Sequence, residues 1–381
     1  MPTKDSEVSI RVVSDIKGLL QIEHQWNALV NNSSKNPFLL SEFAKQFIEC
    51  NTKGWTPMIL VISDNHTILG VAPLVKRKSL LGYRVKFFHP PWCSEFIFEK
   101  QHMSTCIKVT LSFLFNTLKC KFASFSLPRS SPNLPLLIEQ CKLEEIHLKT
   151  APEMDHRIIP ITSTWTEFEA LQTRKFRREI QRVERNLSKL GPWKTMRVGG
   201  NEESDMTDKI LNVEKKSWKE TWRSQRGETD WVLMLVLSAA QRLAKIEPNF
   251  EWSTWFLTLK GKPISYILVI EYGEVAYLVK TSYDERYREY YPGIIIQNAA
   301  IKELFVNGQD KNIDFLSDLP YLETWTDKCL PQVKVQLTKG LVPTIIQFMF
   351  ENTFVKKILS ILFWLRNPRT PFKKAPEFKP L

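Results

Sequence analysis

A chain of 381 residues, 43% hydrophobic and 25% charged, is too long for one small domain and too apolar for a disordered segment. Its net charge of +12 directs attention to anionic partners (phosphates, anionic glycans, nucleic acid or a membrane surface), with an ordinary basic enzyme as the plain alternative. The six cysteines, at 50, 93, 106, 120, 141 and 329, form no CxxC pair and no zinc spacing with histidine. That argues against a disulfide scaffold or zinc module and suits a reducing cytoplasm. Met1-Pro2-Thr3-Lys4-Asp5 leads into no apolar signal-peptide core, and Pro2 stands where myristoylation needs glycine.

In chain order, residues 14–30 read as a helix with Ile16, Leu19, Leu20 and Trp26 on its apolar side, and a second helix follows Ser41. "PMILVISDNHTILGVAPLVKRK" (57–78) reads as a hairpin turning at Asp64-Asn65, followed by the strand "VKFFH", a helix over 103–119 and the strand "FASFSL". "TRKFRREIQRVERNLSKLG" (173–191) is a strongly basic helix, and helices over 205–222 and 230–245 follow. The second half repeats the order of the first. A hairpin over 255–272 turns at Gly261-Lys262-Pro263, and "VAYLVKTSY", a helix over 294–306 and "NIDFL" come after it. This reads as an internal duplication, with chance similarity of two α/β halves as the alternative.

The stretch "YDERYREYYPGIII" carries the clearest chemistry. A strand, a loop ending in Pro292-Gly293 and a helix opening at Ile294 form an anion-binding arrangement, or else a plain turn. The first N–H groups of a helix lack internal partners, the macrodipole adds positive charge, and glycine admits close backbone approach. Arg286 and Arg288 add charge from the loop, and the corresponding first-half stretch "PPWCSEFIFEKQH" has no such glycine. On the basic helix, Arg178, Arg182 and Arg185 share one face and Arg177 lies on another. Either that face is solvated and paired with Glu179 and Glu184, or it forms a wall for an anionic acceptor. Trp218 and Trp222 are core residues or sugar-stacking rings. GxSxG, Walker A, HExxH and GxGxxG patterns are absent. His89, Cys93 and Glu95 read as groove-lining loop residues, with nucleophilic catalysis the lesser alternative. Asp314, Asp318, Glu323 and Asp327 read as solvated carboxylates, and no metal is expected.

"GVAPL" (70–74), "RKFRREIQRVERNL" (174–187), "SYDERYREYYPG" (282–293) and "IDFLSDLPYLETW" (313–325) together resemble the GNAT acyltransferases. Within that fold they are most similar to the CelD-like family, related to the FemAB aminoacyl transferases. The resemblance runs from about Trp26 to Trp325. It implies an α/β fold of two GNAT-like halves, each a mixed sheet flanked by helices, with a cleft between them. The first half (1–155) would lack a phosphate loop, the second (156–340) would hold the acyl donor, and 341–381 would be a tail. Acyl-CoA is the implied co-substrate. Its pantetheine would lie along the strand at Val279, Lys280 and Thr281, and its pyrophosphate at Arg286, Arg288, Pro292, Gly293 and Ile294. Tyr321 or Asp318 is the implied acid or base. Arg177, Arg178, Arg182, Trp222 and Trp325 would face an anionic or sugar acceptor, in polysaccharide or cell-envelope glycan synthesis. Aminoacyl transfer from charged tRNA and a non-catalytic scaffold are the alternatives. Leu322 stands where the family pattern carries lysine, which leaves that lysine's role unfilled or moved. In the tail, residues 342–365 form a broad apolar face flanked by Lys356, Lys357, Arg366 and Arg369. They are too charged to span a bilayer, and either pack on the protein body or make peripheral membrane contact.

Overall fold

Alternating apolar residues in two sets of strands build two sheets, each with its own helices. The computed structural model describes residues 8–50, 54–65, 67–79, 82–88, 94–200, 205–224 and 230–340, the side chains of 221, 222, 224 and 231 excepted. The first half comprises β1 (Val8–Val13), α1 (Ile16–Leu20), α2 (Glu23–Asn32), α3 (Ser41–Glu49), β2 (Thr56–Asp64), β3 (Thr67–Ser79), β4 (Gly82–Phe87), β5 (Ile97–Phe98), α4 (Met103–Ser112), β6 (Cys120–Pro128), α5 (Asn133–Leu143) and β7 (His147–Pro152). The second comprises β8 (His156–Pro160), α6 (Trp165–Leu171), α7 (Arg174–Ser188), β9 (Trp193–Gly199), α8 (Met206–Glu214), α9 (Trp218–Ser224), α10 (Trp231–Ile246), β10 (Glu251–Leu259), β11 (Lys262–Tyr272), β12 (Val275–Tyr283), α11 (Pro292–Asn307), β13 (Asn312–Asp314), β14 (Cys329–Leu330) and β15 (Gln332–Thr338).

The first sheet runs β1-β2-β3-β4-β6-β15-β7, with β5 also on β3; the second runs β14-β8-β13-β12-β11-β10-β9. Both contain one parallel pair, β4 with β6 and β12 with β13, and are otherwise antiparallel. The shared order of hairpin, strand, helix and strand expected of the two halves is present. The boundary between them is not a clean cut. The strand at 332–338, which the sequence reading gave to the second half, inserts between β6 and β7 of the first sheet.

Three apolar clusters hold the layers together. One lies under α4 and α5, with Leu60, Leu74, Phe125 and Val335. A second lies under α7 and α11, with Leu257, Ile267, Leu278 and Ile301. The third is shared by α1–α3 on one side and α8 and α10 on the other, so the two halves meet through a common core. Burying one such Leu, Ile or Phe contributes about 1.5–3 kcal/mol, so this shared cluster binds the halves into one body. Arg242 of α10 also donates to Glu42 of α3 at 3.1 Å.

Three helices differ from their periodicity. The helix over 14–30 breaks at Gln21-Ile22, and Leu20 beside the break is 49% exposed. The helix over 205–222 is interrupted between Glu214 and Trp218, and the helix after Met103 widens into a π-turn over Phe113–Thr117. Away from the loops of the second sheet, Glu251 and Glu271 sit opposite each other on β10 and β11, near buried Asp310. Desolvation and then the charges of Glu271 and Glu251 push the Asp310 carboxyl up to about 7. The tail at 341–381 lies outside the described residues, among which no helix is long and apolar enough to cross a membrane.

Candidate active site

One extra residue in β12 shapes the site. Leu278 pairs with Val269 and Lys280 with Leu268, so Val279 is a bulge with no partner on β11. On the other edge, pairing with β13 stops at Tyr277–Asp314. Beyond that point β12 and the chain after β13 diverge. A slot of about 270 Å³ opens between them, lined by Val279, Lys280 and Thr281 on one side and Phe315, Ser317, Leu319 and Tyr321 on the other. The bulge also resets the alternation. Ala276 and Leu278 face α11, while Val279 and then Lys280 face the α8–α10 side, and Tyr283 returns to the α11 side near Gly293. All of the lining residues, from Lys219 to Tyr321, belong to the second half.

The free edge of β12 leads through a 3-10 turn, Glu285–Tyr290, into the first turn of α11. The N-cap, Tyr291, is left-handed (φ 50°, ψ 48°), a conformation costing a tyrosine about 1–2 kcal/mol, and it makes no side-chain cap. Pro292 has no N–H. Gly293 has an ordinary φ, and a Cβ there would meet only the Tyr283 ring at 3.8 Å. The fold therefore does not demand glycine at 293, and the space beside it is open to a ligand. Arg286 and Arg288 reach this loop, but each is tied to a neighbour, Asp284 at 2.6 Å and Glu285 at 3.2 Å. The basic helix packs alongside. Phe176, Val183 and Leu187 bury against α11, and the Arg182 guanidinium lies 5.9 Å from the Tyr291 ring while paired with Glu179 at 2.8 Å. Arg177 and Arg178 are exposed.

Beneath the bulge lies a network of buried charge that the sequence reading missed. Lys280 is bonded to Asp230 and lies 3.1 Å from Glu214. Arg223 reaches Glu214 at 3.0 Å and Asp230 at 2.6 Å, and the Tyr266 hydroxyl donates to Glu214 at 3.0 Å. Burial alone would raise the Glu214 carboxyl, but Lys280 and Lys219 outweigh it and bring it down to about 2. Lys219, on α9, donates to the Thr281 carbonyl at 2.7 Å and lines the slot. Desolvation, then repulsion from Lys280, lowers its ammonium to about 8. The one sequence signal for this network was Lys280 itself, because strict alternation would have put it on the apolar face with Ala276 and Leu278.

Across the slot, Tyr321 meets buried Gln297 of α11. The residue is 40% exposed, yet its hydroxyl end is enclosed. Desolvation raises the phenol, partly opposed by the Gln297 amide. Gln297 is held in turn by Trp325, whose indole N–H donates to its Oε1 at 3.2 Å. Trp325 is 2% exposed and packs edge-on against Phe176, so it orients Gln297 and is not open to an acceptor. Asp318 is also displaced from the expected role. Arg157 of β8 binds it, along with Glu323 and the Thr326 carbonyl, and the carboxylate is spent on anchoring the loop. Leu322 is buried, so that position turns inward and presents nothing to the slot. Trp222 lies on α9 with its side chain outside the described residues.

The remaining candidates separate. His89 and Cys93 lie outside the described residues, while Glu95 is buried and accepts from Asn133 at 2.9 Å. Asp314 accepts from the Leu316 amide at 2.7 Å, and Asp327 is exposed beside Lys328. Among the described residues no group of three or more His, Cys, Asp or Glu is placed to hold a metal. A second cavity, about 20 Å³ and lined by Trp26, Phe38, Leu40 and Phe88, is an apolar packing void.

The fold is GNAT-like, with two halves in tandem, and the second of them carries a bulged strand that splays from its parallel neighbour and feeds a helix N-terminus. Residues 174–321 match the family model described as an acetyltransferase (GNAT) domain. No curated protein sequence matches the chain. Among solved structures, a conserved protein of unknown function from Bacteroides thetaiotaomicron VPI-5482 superposes with a TM-score of 0.57 at 10% identity, over 87% of this chain and 100% of that one. FemX superposes with a TM-score of 0.55 at 10% identity, over 89% and 99%. L-PGS from Bacillus licheniformis gives 0.51 at 7% identity, over 88% and 96%. At these identities the likeness is one of fold.

Proposed function

We propose that the chain transfers an acyl group from a thioester donor of the acyl-CoA kind to an amine or hydroxyl acceptor at the β12–β13 slot. One observation carries this reading: the unpaired edge of bulged β12 continues directly into an α11 N-terminus that no side chain caps. An extended pantetheine arm would add to the free edge as a strand does, and a pyrophosphate would sit at the positive end of α11 against the Gly293 N–H, the Ile294 N–H being bonded to the Tyr291 carbonyl at 3.0 Å. The backbone of Val279, with no strand partner on either side, is available to the thioester oxygen. Tyr321, its phenol raised by desolvation, keeps its proton at neutral pH and donates into the slot rather than acting as a base. Catalysis then rests chiefly on holding donor and acceptor together.

A glycan acceptor is supported by the sequence resemblance to the CelD-like family. A second donor, aminoacyl-tRNA, is supported by the relation of the CelD-like family to the FemAB aminoacyl transferases and by the basic helix α7 beside the slot. Calorimetry with CoA and acetyl-CoA, against charged tRNA, separates the two. The expected result is CoA binding that competes with acetyl-CoA. Binding of charged tRNA alone would replace the donor, and binding of neither would leave a scaffold. Once turnover is measured, Tyr321→Phe is expected to lower it 10- to 100-fold with little change in donor affinity, about 1.4–2.7 kcal/mol of barrier. Unchanged turnover would remove Tyr321 from the chemistry.

A further inference from the structure

We propose that Lys219 is a catalytic residue that receives the negative charge of the departing donor sulfur, a role that rests on the thioester reading above. The geometry gives three grounds. First, Lys219 reaches the slot from the α8–α10 side of the sheet, while Gln297 and Tyr321 approach from the α11 side, so the two proton-bearing groups flank whatever lies along β12. Second, its Nζ donates to the Thr281 carbonyl on the free strand, two residues past the bulge. One of its three N–H bonds is used there. An ammonium has two more, and slot residues lie on the open side.

Third, the cations beneath the bulge are unequally paired among the described residues. Lys280 and Arg223 face two enclosed carboxylates, Glu214 and Asp230, Arg223 also pairs with the more exposed Glu220 at 3.4 Å, and Tyr266 donates to Glu214. Lys280 and Arg223 each contact both enclosed carboxylates. Among the described residues, Lys219 makes no carboxylate contact within ion-pair distance. Lys219 feels Glu214 only through space, so a ligand anion in the slot would give this enclosed cation a direct partner. Burial and the neighbouring Lys280 also hold this ammonium at about 8, close to the range in which a thiol gains or loses its proton.

In the step, the acceptor attacks the thioester carbon and the new carbon–acceptor bond forms. The carbon–sulfur bond then breaks, with its electron pair going to sulfur. Sulfur takes a proton from the Lys219 ammonium. The acceptor releases its own proton to solvent, and Lys219 recovers one from solvent. The sum is a thioester plus acceptor giving acylated acceptor plus free thiol.

The test uses CoA itself and needs no acceptor. The full-length protein is saturated with CoA, and the bound thiol is titrated by its ultraviolet thiolate absorbance. The expected result is a thiol pKa at least one unit below that of free CoA, a tenfold preference for thiolate, about 1.4 kcal/mol. Lys219→Met should abolish the shift, and Lys219→Arg, which keeps the charge, should retain it. A wild-type thiol that titrates like free CoA overturns the assignment whether or not the variants fold. Equal shifts in wild type and Lys219→Met give the sulfur to another cation. Failure of the wild type to bind CoA overturns the donor reading, and the role of Lys219 falls with it.

Discussion

Strand β4 of the first half stays paired with its parallel neighbour β6 from Tyr83 to Lys86 and ends at Phe87. Its counterpart β12 leaves β13 at Tyr277 and runs on alone to Tyr283. The two halves also interrupt this strand differently. In the first, two separate strands, β4 and β5, both lie along β3; in the second, a single extra residue, Val279, interrupts the ladder. In the first half the side chains of Phe96 and Glu95 fill the space beside the sheet, packing on Phe125 and binding Asn133. A one-residue bulge leaves backbone bare and turns one charged side chain through to the other face. The same topology thus yields a packed wall in one half and an open slot in the other. The difference lies in how the ladder is broken and not in which elements are present.

The comparison can be tested most severely at its buried carboxylates. Glu214→Ala leaves Lys280 and Arg223 undercompensated beneath the slot, and should cost about 3–5 kcal/mol in urea unfolding. Glu95→Gln keeps the acceptor oxygen used by Asn133 and Phe96, and should cost no more than about 1 kcal/mol. Equal costs would mean that the two halves treat buried charge alike. The same carboxylate sets a pH dependence. Because Glu214 is held at about 2, below its unfolded value, its stabilisation is present at neutral pH and is lost as pH falls from about 4.5 toward 2.

Asp310 works in the opposite sense. Raised to about 7, it favours the folded state when protonated, so its contribution is present below its unfolded value near 4 and is lost as pH rises through 7. Asp310→Asn should therefore stabilise the chain by about 1–3 kcal/mol at pH 8 and flatten stability between pH 4 and 7. A destabilised variant at pH 8 would show that Asp310 has a partner worth more as a carboxylate.

Gly293→Val sharpens the contrast between the α11 and α4 N-termini. Its Cβ meets only Tyr283 at 3.8 Å, so the fold should survive with stability changed by less than about 1 kcal/mol, while CoA binding weakens tenfold or more, about 1.4 kcal/mol. Equal affinity by calorimetry would remove the phosphate from this turn. The smallest effect belongs to α7. Arg182 is already partnered by Glu179 and Arg178 is exposed, so changing both to Ala should leave Tm nearly unchanged and weaken CoA only about two- to fivefold at low salt. A larger loss would give this helix a direct phosphate contact.

Much of the scaffold was legible because it is local. The two hairpins, each turning within a residue of the expected place (just after Asp64, and at Lys260-Gly261 rather than Gly261-Lys262-Pro263), the Pro-Gly entry to α11 and the 3.6-residue pattern of α7 each follow from neighbouring residues. The slot was partly legible. Val279, Lys280, Thr281 and Tyr321 line it, while Trp325 is core and Asp318 is an anchor, because side-chain direction in an irregular loop has no period to read. Lys219 gave no signal at all. A lysine on a short helix resembles any solvated lysine until tertiary packing lays it across Thr281. Val333-Lys334-Val335-Gln336-Leu337 alternates as a strand should, yet alternation names a face and not a partner sheet.

The insertion of β15 into the first sheet bears on how the molecule is made. As the chain leaves the ribosome, β6 and β7 are both available early, but the strand that belongs between them is the last of the described strands to be synthesised. At ordinary elongation rates the interval between β7 and β15 is roughly 10–40 s. Throughout it the nascent first half carries an unfilled place in its sheet with two bare edges, a template for mispairing with a neighbouring chain. A copy released early, ending before Gln332, would keep every residue of the slot and still lack the strand that closes the other half. Such a chain should pellet rather than accumulate, and slowing translation should lengthen the vulnerable interval without altering the finished protein.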